Sequence, residues 1–145
     1  MTHHCPHCGA KLEISVSWDG KKLLPAKVLG VNGHYFEIEN SNNLLQFYYY
    51  SPASRFVNKN GGVGVALVTL TLCSDVYSAE ELVRIINDSL VTQGFPSWCY
   101  TQKGKIGFTS LNVGGPEVSF SFPPIENSIL PTLGITEGVY CGGYE

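Results

Sequence analysis

Charge is what this sequence has least of. Only 14% of its 145 residues are charged, Lys and Arg numbering 9 against 12 Asp and Glu, for a formal net charge of -3. It lacks a basic block that would neutralise a run of phosphates, so autonomous DNA or RNA binding is disfavoured. No apolar run approaches the roughly 20 residues that a membrane-spanning helix needs. The opening Met1-Thr2-His3-His4-Cys5 lacks the shape of a signal peptide. Internal repeats and low-complexity segments are also missing. The five cysteines are an odd number, which with such an N-terminus argues against a secreted disulfide framework.

What is present points to a folded β protein. A hydrophobic fraction of 43% excludes intrinsic disorder. Sixteen glycines, eight prolines and 12% aromatics favour a turn-rich, strand-rich chain. The length is that of one domain, able to bury roughly two thirds of its unfolded surface. So little charge leaves little to solvate a large free surface, and neighbours are expected to cover part of it.

Periodicity places the elements. Leu12, Ile14, Val16 and Trp18 alternate with polar residues, and Asp19-Gly20 then signals a hairpin turn. A return strand is expected within Lys21 to Gly30, interrupted by Pro25. Strands are expected at His34 to Glu39 and Leu44 to Tyr50. Ser51 to Gly62 reads as a long polar loop. Val63 to Cys73 is the most apolar segment and is expected to be a central strand buried on both faces. A polar turn follows. Ser78-Ala79-Glu80-Glu81 is a capping box, with Leu82, Ile85, Ile86 and Leu90 on one helical face and Gly94 and Pro96 as stops. Trp98 to Gln102, Ile106 to Ser110 and Val118 to Phe122 read as further strands. The expected fold is mainly β, a β-sandwich or jelly-roll-like sheet with one helix at about 78–91, preceded by a small zinc-knuckle hairpin. The division expected is 1–22 for that hairpin and 23–145 for the β-rich domain.

Cys5-Pro6-His7-Cys8-Gly9 resembles the first half of a zinc ribbon, and Ala10 to Ile14 reads as the strand leaving it. Two thiolates at this spacing converge on one tetrahedral cation. A ribbon needs a second Cys-x-x-Cys, which this chain lacks. The remaining ligands must come from His3, His4, His7, His34, a distant cysteine or a second subunit. Cys5 and Cys8 with His3 and His7 are the candidate set for a structural zinc. Plain reduced thiols are the competing reading, and a redox pair is weakened because Cys5 does not follow a βαβ strand. Cys73 and Cys99 are expected to be small buried hydrophobes. Cys141, among glycines, is expected to be exposed.

Residues 63–136 carry an order of pieces with a wider resemblance. A strand and a polar turn lead into Tyr77-Ser78-Ala79-Glu80-Glu81-Leu82-Val83, with Asn87 and Leu90 towards the helix end. An aromatic hairpin, Ile106-Gly107-Phe108, Val118-Ser119-Phe120-Ser121-Phe122 and finally Ile129-Leu130-Pro131-Thr132-Leu133-Gly134-Ile135 follow. This order resembles a segment shared by capsid and fibre-type virion proteins of double-stranded DNA viruses. The knuckle is not part of that pattern. The resemblance implies a structural, non-enzymatic role as a minor capsid, cement or fibre-base component of the virion. Its partners would be other virion proteins, including the major capsid protein, and copies of itself, without a membrane and without nucleic acid.

Other chemistry is weakly signalled. Gly61-Gly62-Val63-Gly64 precedes a strand and lacks the Gly-Lys-[Ser/Thr] of a phosphate loop. Cys99, His34 and Asp75 have no spacing that marks a catalytic set. Glu37 and Glu39 share a strand face, as exposed strand residues ordinarily do. Tyr48, Tyr49 and Tyr50 are the candidate interface residues, because tyrosine is enriched at protein contacts. The alternative is an intracellular zinc-containing module that recognises a peptide, glycan or nucleic acid through this strand, with Arg55 and Lys59 nearby.

Overall fold

Alternating apolar and polar side chains set the strands, because successive residues of a strand point to opposite faces. The computed structural model of the protein describes residues 23–33, 35–51 and 65–144. Its strands are β1 (Leu23–Leu29), β2 (Phe36–Ile38), β3 (Leu44–Tyr50), β4 (Val65–Thr71), β5 (Asp75–Tyr77), β6 (Cys99–Gln102), β7 (Lys105–Gly114), β8 (Ser119–Phe122), β9 (Gly138–Cys141) and β10 (Gly143–Tyr144). The helices are α1 (Ala79–Thr92) and α2 (Leu130–Leu133). The chain is therefore mainly β.

Two four-stranded antiparallel sheets form, in the orders β10-β1-β7-β6 and β4-β3-β8-β9, together with the pair β2-β5. β9 and β10 are nearly one strand, and the chain passes from one four-stranded sheet to the other between them. Gly142 makes that passage. A Cβ there would collide with backbone oxygens of Gly115 and Leu24, so only glycine fits the corner. α1 reaches both β6 and β4. Asn87 of α1 donates from Nδ2 to the Cys99 carbonyl (2.9 Å) and accepts at Oδ1 from the Cys99 N–H (3.0 Å). Its amide thus stands where a neighbouring strand's peptide group would. Gln93, just past α1, donates to the Thr69 carbonyl of β4 at 3.4 Å.

The helix forms as its sequence requires. Ser78 accepts from the Glu81 N–H, and the Glu81 side chain accepts from the Ser78 N–H. That second bond holds the Glu81 carboxyl below the usual carboxylate range. Ala79, Leu82, Ile86 and Leu90 are buried on the inner face, with Ile85 packed beside them. Both sheets supply the core aromatics. Phe47 of β3 lies 5.3 Å from Phe108 of β7 and 5.4 Å from Phe122 of β8, centroid to centroid. Trp98, ahead of β6, is 5.9 Å from Phe47 and 4.4 Å from Tyr49.

Several expectations are corrected. Val65–Thr71 is not a central strand buried on both faces. Among the described residues β4 is an edge strand whose Ala66, Val68 and Leu70 face inward while Thr69 and Thr71 are exposed. Thr69 and Thr71 alternate with the buried residues, so β4 covers the core with one face, and β3 pairs with one flank. The polar turn before α1 contains β5, paired with β2 in the register Phe36↔Tyr77. A second, short helix forms at Leu130–Leu133, because Pro131 suits the first helical turn and Gly134 ends it with φ 78°. Gly134 packs against Val31, where a side chain would clash. Cys73 is exposed, while Cys99 is buried. The expected knuckle hairpin at 1–22 lies outside the described residues.

Candidate functional site

The outer face of the β4-β3-β8-β9 sheet follows directly from the register. Tyr48 has Leu67 on one side and Ser121 on the other, and Ser121 has Val139 beyond it. The next row is Val65, Tyr50, Ser119 and Cys141. Leu44, Gln46, Thr69 and Thr71 continue the same face. None of these residues is Asp, Glu, Lys, Arg or His. Tyr48 and Tyr50 are 40% and 42% exposed, and Val139 is 62% exposed. The remaining charge of the described residues lies elsewhere, on α1, on β2 and β5, on the other sheet and in loops.

Tyr49 does not belong to this surface. It lies between two outward tyrosines, so the strand period turns it into the core, where it is 3% exposed. It packs on Trp98 and Phe120, at 4.4 and 5.1 Å. Burial pushes its hydroxyl up to about 12, partly opposed by a hydrogen bond with the Ser51 side chain. Of the three candidate tyrosines, the fold brings Tyr48 and Tyr50 to one surface and uses Tyr49 for packing. Val139 and Cys141 complete the face. They sit in the glycine-rich tail, where only the alternation Val139-Tyr140-Cys141 signals a strand.

The candidate metal ligands Cys5, Cys8, His3 and His7, with His4 and His34, lie outside the described residues, as do Arg55 and Lys59. Among the described residues no group of three or more His, Cys, Asp or Glu converges to hold a metal ion. Cys99 and Asp75 are on separate elements, and burial raises the Cys99 thiol well above its ordinary value. Glu37 is exposed on β2 opposite Val76, itself 53% exposed. On the other four-stranded sheet, the Lys27 ammonium lies 5.4 Å above the Tyr100 ring. The Tyr100 hydroxyl is buried there with no hydrogen-bond partner among the described residues.

Among the described residues no helix is long and apolar enough to cross a membrane. No protein-family model, no curated protein and no solved structure matches this chain.

Proposed function

We propose that this chain is a structural virion protein, a minor capsid, cement or fibre-base component that acts through protein–protein contacts. The observation that carries the reading is the uncharged outer face of the β4-β3-β8-β9 sheet, with Tyr48, Tyr50 and Val139 projecting from it. Desolvating a charge is costly, and this face has none to desolvate. Tyrosine adds large contact area and a hydroxyl that still finds a hydrogen bond at the rim. The order of elements from β4 to Gly134, with the Tyr77-Ser78-Ala79-Glu80-Glu81-Leu82 helix start, supports the capsid and fibre-type resemblance. In this reading the two four-stranded sheets make a sandwich or jelly-roll-like body. The contacts of Phe47 with Phe108 and Phe122 favour it. The partners are the major capsid protein, other virion proteins and further copies of this chain.

The test is co-sedimentation with the major capsid protein of the particle of origin. The parent protein should bind. Tyr48→Lys combined with Val139→Lys should lose binding while keeping its melting temperature, since both side chains are exposed. Failure of the parent to associate with any virion protein sinks the reading.

A structural zinc is the second element of the proposal, carried by the Cys5-Pro6-His7-Cys8 spacing, with His3 and His7 as further ligands. Elemental analysis of protein purified without chelator should return about one zinc per chain. A Cys5→Ser, Cys8→Ser double variant should return none. Metal-free parent protein overturns it.

A further inference from the structure

Asparagine is chemically labile, and most so before glycine, whose missing side chain leaves the next backbone nitrogen open to approach. Asn32-Gly33 stands just beyond β1, and Asn32 is exposed. The reaction needs nothing from outside but water. The Gly33 backbone nitrogen attacks Cγ of Asn32 and a C–N bond forms. The bond from Cγ to Nδ2 breaks, and ammonia leaves with the Gly33 amide proton. Water then opens the resulting succinimide ring to aspartate or isoaspartate. In isoaspartate the main chain runs through the side-chain methylene.

The fold engages both groups that must react. The Gly33 N–H donates to the Gly104 carbonyl at 3.1 Å. Oδ1 of Asn32 lies against Gly104, where a Cβ would collide with it. Lys103 and Gly104 form the two-residue turn between β6 and β7, with φ of 52° and 79°. The chain just ahead of Asn32 is pinned as well. Gly30 N–H donates to the Ile106 carbonyl at 2.9 Å, and Val31 N–H to the Leu133 carbonyl at 3.0 Å. Attack requires the Gly33 nitrogen to leave its carbonyl partner and the Asn32 amide to swing away from Gly104.

We infer that Asn32 is a deamidation site held closed by the Lys103-Gly104 turn, and that it is modified when the contact between this turn and residues 30–33 opens. Hydrogen-bonded surface segments open locally without global unfolding. The product cannot close again in the same way. Isoaspartate lengthens the main chain between Val31 and Gly33, so the Gly33 N–H no longer meets the Gly104 carbonyl. It also brings a carboxylate to the place where Oδ1 met Gly104. The modification therefore marks chains that have been open. This chemistry is independent of the assembly reading.

The experiment is peptide mapping by mass spectrometry of the full chain after incubation in mildly alkaline buffer, native and in urea. Trypsin separates the peptide 28–55, which holds Asn32, from the peptide 60–84, which holds the second Asn-Gly pair, Asn60-Gly61. In urea Asn32 should convert to aspartate and isoaspartate. In the native protein the conversion should be slower by roughly tenfold or more. Gly104→Ala should speed the native reaction, because its Cβ displaces the Asn32 side chain and alanine resists a φ of 79°. Gly94→Ala meets a similar φ of 90° in open space, and should leave the Asn32 rate at the parent value. Equal rates in native protein and in urea overturn the inference, as does a lack of conversion in urea. Equal acceleration in the two variants also overturns it, since global stability would then be the cause. Should Gly104→Ala not fold, hydrogen exchange of the Gly33 amide in the parent decides. Along a urea series below the unfolding transition, the Asn32 rate should rise in step with that exchange, and a rate that does not follow it overturns the inference.

Discussion

Tyr49 is a residue whose environment folding alters strongly. Its ring fills the space between Trp98 and Phe120, and its hydroxyl loses water. The neutral phenol is favoured there, so the ionisation that ordinarily occurs near pH 10 is displaced to about 12. In the unfolded chain Tyr49 loses its proton first. Between pH 10 and 12 the unfolded state therefore binds fewer protons, and stability falls as pH rises. Below pH 10 the contribution is fully present. Tyr49→Phe should flatten this alkaline loss, seen as a smaller drop in melting temperature between pH 10 and 12. An unchanged slope would mean that Tyr49 ionises freely.

At the scale of elements, α1 does more than bury an apolar stripe. It stands between two sheet edges and satisfies peptide groups on both, through Asn87 at β6 and Gln93 at β4. The two sites differ in burial. Cys99 is 3% exposed, so its peptide group has no water to turn to, whereas Thr69 is exposed. Asn87→Ala should therefore destabilise by about 1–3 kcal/mol, the cost of leaving buried polar groups unpaired. Gln93→Ala should change stability much less. Urea denaturation of both variants measures the difference. Equal effects would mean that the Asn87 amide contributes no more than an exposed one. The capping box of α1 was legible in Ser78 and Glu81 because capping is local, spanning three residues. The target of Asn87 is a tertiary matter, since Cys99 is brought to it by the strand that follows the helix.

At the scale of the whole molecule, the two four-stranded sheets share one aromatic cluster. Phe47 touches Trp98, Phe108, Phe120 and Phe122, which belong to both sheets and the segment between them. Removing it should act on both sheets together. Phe47→Ala should cost about 3–5 kcal/mol, typical of a large buried aromatic. Loss of both sheets in one transition is the expected readout, with near-ultraviolet and far-ultraviolet circular dichroism changing together. Separate transitions would show that the sheets are independent units. The outer surface is divided as sharply as the core is shared. One sheet face is uncharged, and the other carries Lys27 at β1.

Local pattern determined much of this protein. The apolar, aromatic run Leu44 to Tyr50, whose strand conformation imposes alternation of its side chains, located β3 to the residue, and the 3.6-residue stripe with its capping box located α1, because both depend on neighbours along the chain. The outward direction of Tyr48 and Tyr50 against Tyr49 is implicit in the same alternation, but its phase is not. Which tyrosines face water was decided when Phe47 and Tyr49 found Trp98 and Phe120 from distant segments. The place of β4 was likewise a tertiary decision. An edge strand and a central strand have the same backbone, and an apolar, β-branched run suits either. Only the tertiary arrangement put β4 at the end of its sheet among the described residues, with β3 on one flank. The passage between sheets at Gly142 belongs to the same class, since a glycine in a glycine-rich tail gives no sign of the backbones that will press against it.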